Sequence, residues 1–172
     1  MSLQIEKLTS AIGARVHGIH LNQPLDDTTF NHLQDALLNH QVLFFRDQLI
    51  EPKQQKQLAN RFGDLHIHPI FPNVEDVPEV LVLDNQQNDL QDNAIWHTDV
   101  TFIKTPPLGA VLAAKKVPEF GGDTLWSSST QAWDALSSGF QNFLEELTAT
   151  HSFVQSFPVA RYARTVEEQE KW

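Results

Sequence analysis

The chain has 172 residues, a formal net charge of −10 and no cysteine, a length sufficient for one domain with a sizeable core. The missing thiols exclude disulfides, thiolate-bound zinc, iron–sulfur clusters and cysteine nucleophiles. The acidic balance argues against nucleic acid as a partner, because phosphate binding wants basic patches, but an anionic small molecule could still be met by local donors in a pocket. Any metal must be held by His, Asp, Glu or water. The N-terminal MSLQIEKLTSAIGARV lacks the apolar core of a signal peptide, and no run approaches the ~20 apolar residues of a membrane span. The expectation is a cytoplasmic protein with no membrane partner.

In chain order, residues 3–20 read as short strands with turns at Gly13 and Gly18. Asp26 or Asp27 caps a helix whose apolar face is Phe30, Leu33, Leu37 and Leu38. Val42 to Phe45 is a short buried strand. Glu51-Pro52 opens a second helix, with Leu58 and Phe62 on one face and Gly63 closing it. The proline-rich HIHPIFPNVEDVPEV reads as loop, Val80 to Leu83 as strand, and 84–94 as polar turn. Strand signals return at 100–103 and 109–114. Gly121-Gly122-Asp123 marks a turn before Thr124-Leu125-Trp126. It is not a phosphate loop, because no Gly-Lys-Ser/Thr follows. Ser127 to Ser129 cap a short helix to Leu136. Phe140, Phe143, Leu144 and Leu147 give a clearer amphipathic face, and Thr165-Val166-Glu167-Glu168 is a capping box. Trp96, Trp126 and Trp133 are read as core. No internal repeat is present.

Two histidine pairs compete for a chemical role. His97 and Asp99 lie two apart in IWHTDVTF, and on a strand they would share a face and grip one ion. Imidazole plus carboxylate suits Fe(II), Mn(II) or Zn(II). His66 and His68 have the same spacing, with Pro69 biasing the second towards extended backbone. With 8 histidines in 172 residues, chance supplies on the order of one such pair. Spacing alone does not decide between a metal site and hydrogen-bonded histidines.

Five co-linear stretches carry more information: HQVLFFRDQ (40–48), RFGDLHIHP (61–69), WHTDVTF (96–102), TPPLGAVLAAK (105–115) and GGDTLW (121–126), with SFP (156–158) as a weaker sixth. Together they resemble the taurine dioxygenase family of Fe(II)/2-oxoglutarate-dependent oxygenases, over nearly the whole chain. The resemblance implies a mixed α and β fold, a double-stranded β-helix (a cupin-like jelly roll) with flanking helices, incomplete here, with residues 1–172 one oxygenase domain without its C-terminal segment. It implies that His97 and Asp99 are two of three iron ligands, in a facial site that leaves room for 2-oxoglutarate and O₂. The third ligand, a histidine, and the carboxylate-binding arginines would lie beyond Trp172. Thr124 would meet the far carboxylate of 2-oxoglutarate. His68, Asn93, Val100, Phe71, Ser156 and Phe157 would line the substrate pocket, with His68 donating to a sulfonate oxygen. Phe71 stands where the family commonly has tyrosine, which removes a hydroxyl. His66 keeps no special role, and His151 matches a non-ligand position.

The implied reaction hydroxylates taurine or a related small sulfonate and releases sulfite, aminoacetaldehyde, succinate and CO₂. The 172-residue chain alone is expected to be inactive, because two ligands hold iron weakly. An unclosed β-core would expose strand edges and predict homo-oligomers. The competing readings are a non-catalytic remnant of the same fold, an oxygenase acting on another small acid, and a cupin-like protein binding metal through His66 and His68.

Overall fold

The computed structural model describes residues 3–84, 95–163 and 165–170. The chain forms two compact units, Met1–Leu58 with Val111–Leu147, and Ala59–Ala110 with Thr148–Trp172.

The first unit is built on a three-stranded sheet in the order β1 (Gln4–Lys7), β2 (Ala14–His17), β3 (Leu43–Phe45). β1 and β2 are antiparallel, joined through Gly13, whose φ of 92° is one that residues with a Cβ rarely adopt. β2 and β3 are parallel, with Ala14 opposite Leu43 and Val16 opposite Phe45. A parallel pair needs a crossover, and α1 (Asp27–His40) supplies it. Along β2 the period-2 alternation is plain: Ala14 and Val16 are buried, while Arg15 and His17 reach out to Glu6 on β1, at 3.3 and 3.0 Å. These partners hold the Glu6 carboxyl below the usual range, first through the His17 hydrogen bond and then through the Arg15 charge.

Asp26 caps α1 by accepting from the Thr29 amide at 2.8 Å, and Phe30, Leu33 and Ala36 form the buried stripe. Leu38, expected on that stripe, is exposed. At 100° per residue it lies about 160° from Ala36 and about 140° from Leu33, off the buried stripe. The Gln that ends HQVLFFRDQ is a structural clamp. Gln48 accepts from the Leu21 amide at 2.8 Å and donates to the Arg46 carbonyl at 3.0 Å.

α2 (Pro52–Asn60) begins at its proline as expected, and the boundary between the units falls inside it. Residues 109–114, expected as a strand, form no ladder with any described segment. The Val111 carbonyl instead accepts from Gln55 Nε2 at 2.7 Å, and Lys115 Nζ donates to the Ile50 carbonyl. Gly121 and Gly122, with φ of 75° and 72°, make the expected turn, and a Cβ on Gly122 would meet Pro118 at 3.2 Å. Ser128 then caps α3 (Ser129–Asp134), accepting from Gln131 N at 3.2 Å, and Ser137 caps α4 (Ser138–Glu145). Phe140 and Phe143 of α4 stack on one another yet stay exposed.

In the second unit, the proline-rich stretch expected as loop contains a hairpin of β4 (Asn73–Val74) and β5 (Val77–Leu81). Glu75 and Asp76 make its turn, and Pro78 sits where its missing N–H costs little on a two-stranded ribbon. α5 (Phe153–Ser156), α6 (Val159–Tyr162) and α7 (Val166–Gln169) are single turns, the last starting where the capping box places it. Residues 100–103 are a turn and not a strand, entered through Val100 with φ of 54°. A β-branched residue there is strained, by ~1–3 kcal/mol. Trp96 is also not core: it is 68% exposed. No closed β-barrel forms among the described residues. The described sheets are a three-stranded and a two-stranded one, and a strand-forming sequence becomes a strand only where a partner completes its ladder. Among these residues no helix is long and apolar enough to cross a membrane.

Candidate metal and substrate site

His97 and Asp99 stand in the irregular run that leads into the Val100 turn, so their common orientation comes from local hydrogen bonding and not from a paired strand. His97 Nδ1 lies 2.7 Å from the Ile95 carbonyl oxygen. A carbonyl only accepts, so the proton sits on Nδ1 and the Nε2 lone pair is free. That lone pair lies 3.3 Å from Asp99 Oδ1. In the neutral imidazole two acceptors therefore face each other with no hydrogen between them, an arrangement that a proton or a metal cation must bridge. Both side chains are half exposed, so the pair is open to solvent. Imidazole Nε2 plus carboxylate, with the other ring nitrogen tied to a carbonyl, is the donor chemistry of a divalent transition-metal site. Among the described residues no group of three or more His, Cys, Asp or Glu is placed to hold an ion. His151 is engaged elsewhere, 2.8 Å from the Thr101 hydroxyl.

His68 has a different environment in the same unit. It is buried at 7% exposure. Its ring packs against Phe71 at 4.7 Å and Phe157 at 5.1 Å between centroids. Nδ1 accepts from the Ile70 amide at 3.3 Å. His66 lies 6.0 Å away edge-on, and its buried Nε2 has no partner. Burial first, then the His66 charge, push the His68 imidazole to titrate below its usual range, and Asp99 opposes them in part. With its Nδ1 lone pair already used, His68 is a poor partner for His66 in a metal pair.

The depressed His68 value fixes a stability slope. The folded state binds this proton less readily than the unfolded chain, so its contribution is full above ~6.5, the unfolded value, and is lost as pH falls through the lower folded value. Urea midpoints therefore fall from pH 8 to pH 5 by more in the parent than in His68→Gln; equal falls would place the titrating group elsewhere.

The remaining expected residues distribute as follows. Phe157 follows α5 and contacts His68, Phe71, Phe102, Phe153 and Tyr162, all with centroids within 5.8 Å. Ser156 is exposed, and its hydroxyl donates to the Ser152 carbonyl at 3.2 Å within its own turn. Asn93 lies outside the described residues. Thr124 belongs to the first unit, where it lines a hollow of about 330 Å³ with Arg15, Arg46, Phe44 and Trp126. Phe102, Phe153 and Tyr162 were not anticipated as neighbours of the pocket. The i, i+4 spacing of Phe153 and Phe157 was the available signal for one of them.

The description of the family model that matches residues 4–171 reads "Taurine catabolism dioxygenase TauD, TfdA family". The chain belongs to this family. Among its relatives are an alkylsulfatase of Acinetobacter baylyi, 40% identical over 87% of this chain and 47% of the relative, and an alpha-ketoglutarate-dependent sulfate ester dioxygenase of Pseudomonas putida, 33% identical over 88% and 50%. A crystal structure of a taurine dioxygenase from Burkholderia xenovorans superposes with a TM-score of 0.76, at 34% identity over 85% of this chain and 52% of that one. The chain thus spans about half the length of the TauD/TfdA relatives it matches. Its fold is that of TauD-like dioxygenases in the shared portion.

Proposed function

We propose that this chain is part of an Fe(II)/2-oxoglutarate-dependent dioxygenase that acts on a small sulfonate, taurine or a close relative of it. The observation that carries the reading is the His97–Asp99 pair, with Nε2 and Oδ1 3.3 Å apart, in a chain of the TauD/TfdA family. When bound, iron and 2-oxoglutarate supply the oxidation: one atom of O₂ enters the C–H bond beside sulfur, and the other ends in succinate as CO₂ is lost. The hydroxylated carbon then expels sulfite and becomes an aldehyde.

The residues of this chain supply position and polarity. His97, with Nδ1 tied to Ile95, offers Nε2 in a fixed direction, and Asp99 offers Oδ1. His68 donates to a sulfonate oxygen from within the rings of Phe71 and Phe157, which keep water from competing for that donor. Val100 and Ser156 border the same substrate. The named relatives include enzymes of sulfate esters, and the released anion separates the substrate classes. Isolated from its own cells, the protein releases sulfite from taurine only when Fe(II), 2-oxoglutarate and O₂ are all present. Sulfate from short alkyl sulfates without sulfite from taurine, or 2-oxoglutarate turnover with another small acid alone, would overturn the sulfonate reading and leave the oxygenase; no 2-oxoglutarate turnover with any small acid would overturn both.

A further inference from the structure

His68 has two ring nitrogens, and only one of them can face a ligand. Its Nδ1 is already an acceptor, for the amide of Ile70 two residues on. The sequence explains why that amide and no nearer one. Pro69 has no N–H to offer and fixes its own φ, so the first donor after His68 is Ile70 N–H, held at a set angle. Phe71 and Phe157 then pack on the ring and oppose the flip that would exchange the two nitrogens. An imidazolium would carry N–H at Nδ1, pointing at the incoming N–H of Ile70, and that hydrogen bond would be lost.

We propose that the Ile70 backbone amide is a positioning group for substrate recognition: it holds His68 in the Nε2–H tautomer, so that this residue meets a sulfonate oxygen as a neutral, single donor and not as a cation. The proposal rests on the reading of His68 as a substrate residue. The charged and titratable groups that act on the ring are His66, which adds repulsion against a second proton, and Asp99, which weakly favours one; burial outweighs Asp99, so the neutral form prevails. A neutral donor binds an anion less tightly than a cation would, and its grip does not fade as pH rises through neutrality.

The test is ¹⁵N NMR of the histidine-labelled protein, with taurine as the probe. At pH 7.5 the His68 signals show a protonated Nε2 and a bare Nδ1, and taurine moves the Nε2–H resonance. A protonated Nδ1 overturns the tautomer assignment, whatever taurine does. The expected tautomer with no response to taurine leaves the amide contact standing and overturns His68 as a substrate residue, and the recognition proposal with it. Variants give a second readout. Gln places its N–H near the Nε2 position and Asn near Nδ1, so His68→Asn weakens taurine binding about tenfold more than His68→Gln, the worth of one neutral hydrogen bond. Equal losses in the two variants, or an affinity that declines steadily from pH 6.5 to 8.5, would show that the donor is not a fixed neutral Nε2–H.

Discussion

Replacing His97 with alanine weakens binding of Mn(II), a stand-in for Fe(II) that does not oxidise readily, by more than about 100-fold. Loss of a group that merely orients a ligand costs ~10–100-fold, and His97 is itself the proposed ligand. Asp99→Ala has a comparable effect, because each variant keeps only one of the two proposed donors. Asp99→Asn is informative beside it: the amide keeps the shape but offers its Nδ2–H₂ or a neutral oxygen, so affinity falls without any change in packing. His66→Ala leaves binding where it was, since the neighbouring His68 has spent its Nδ1 lone pair on Ile70. Calorimetric titration of Mn(II) reads all four proteins. The opposite pattern, with His66→Ala losing the metal and His97→Ala keeping it, would favour the cupin-like arrangement over the family site.

A large loss of stability near the candidate site is expected at Phe157. Truncating a fully buried Phe to Ala costs ~3–5 kcal/mol. Phe157 is half-buried, so about 2 kcal/mol is expected, most of it from ring contacts that no neighbour can replace. Its five aromatic partners come from four separate chain segments: the His68–Phe71 loop, the turn after Asp99, α5, and α6. Phe157→Leu keeps part of the volume and loses about 1 kcal/mol. Phe120 is 84% exposed, and Phe120→Ala shifts stability by no more than ~0.5 kcal/mol. Equal urea midpoints for Phe157→Ala and Phe120→Ala would mean that the aromatic cluster is not a stabilising unit.

The helices and caps of this protein were legible because their causes are local. Asp26 lies three residues from the amide that it caps, Pro52 is at the first position of α2, and Ser128 precedes α3 by one. The strands were legible only where a partner lies nearby. Ala14 to His17 found β1 on one side and β3 on the other. The equally β-prone 109–114 found no ladder among the described residues, and its carbonyl at Val111 was taken by a glutamine side chain. The tryptophans failed for a related reason: apolar character does not bury Trp96 unless something packs over it.

By itself the sequence determined which donors sit together in the chain. His97 and Asp99 two apart, His68 followed by a residue with no N–H, and the glycine pair before Thr124 are all covalent facts with short-range consequences. Five co-linear motifs also sufficed to point to the family. Only the tertiary structure decided what those donors can do. It put the Ile95 carbonyl on one nitrogen of His97 and the Ile70 amide on one nitrogen of His68, with opposite results for the neutral rings: the first is left with a lone pair at Nε2, the second with a proton there. It also gathered His68, Phe71, Phe102 and Phe153 around Phe157 from positions up to 89 residues apart. The tautomer of an imidazole depends on the direction of a hydrogen-bond partner, and direction is fixed by folded backbone, which spacing along the chain does not encode.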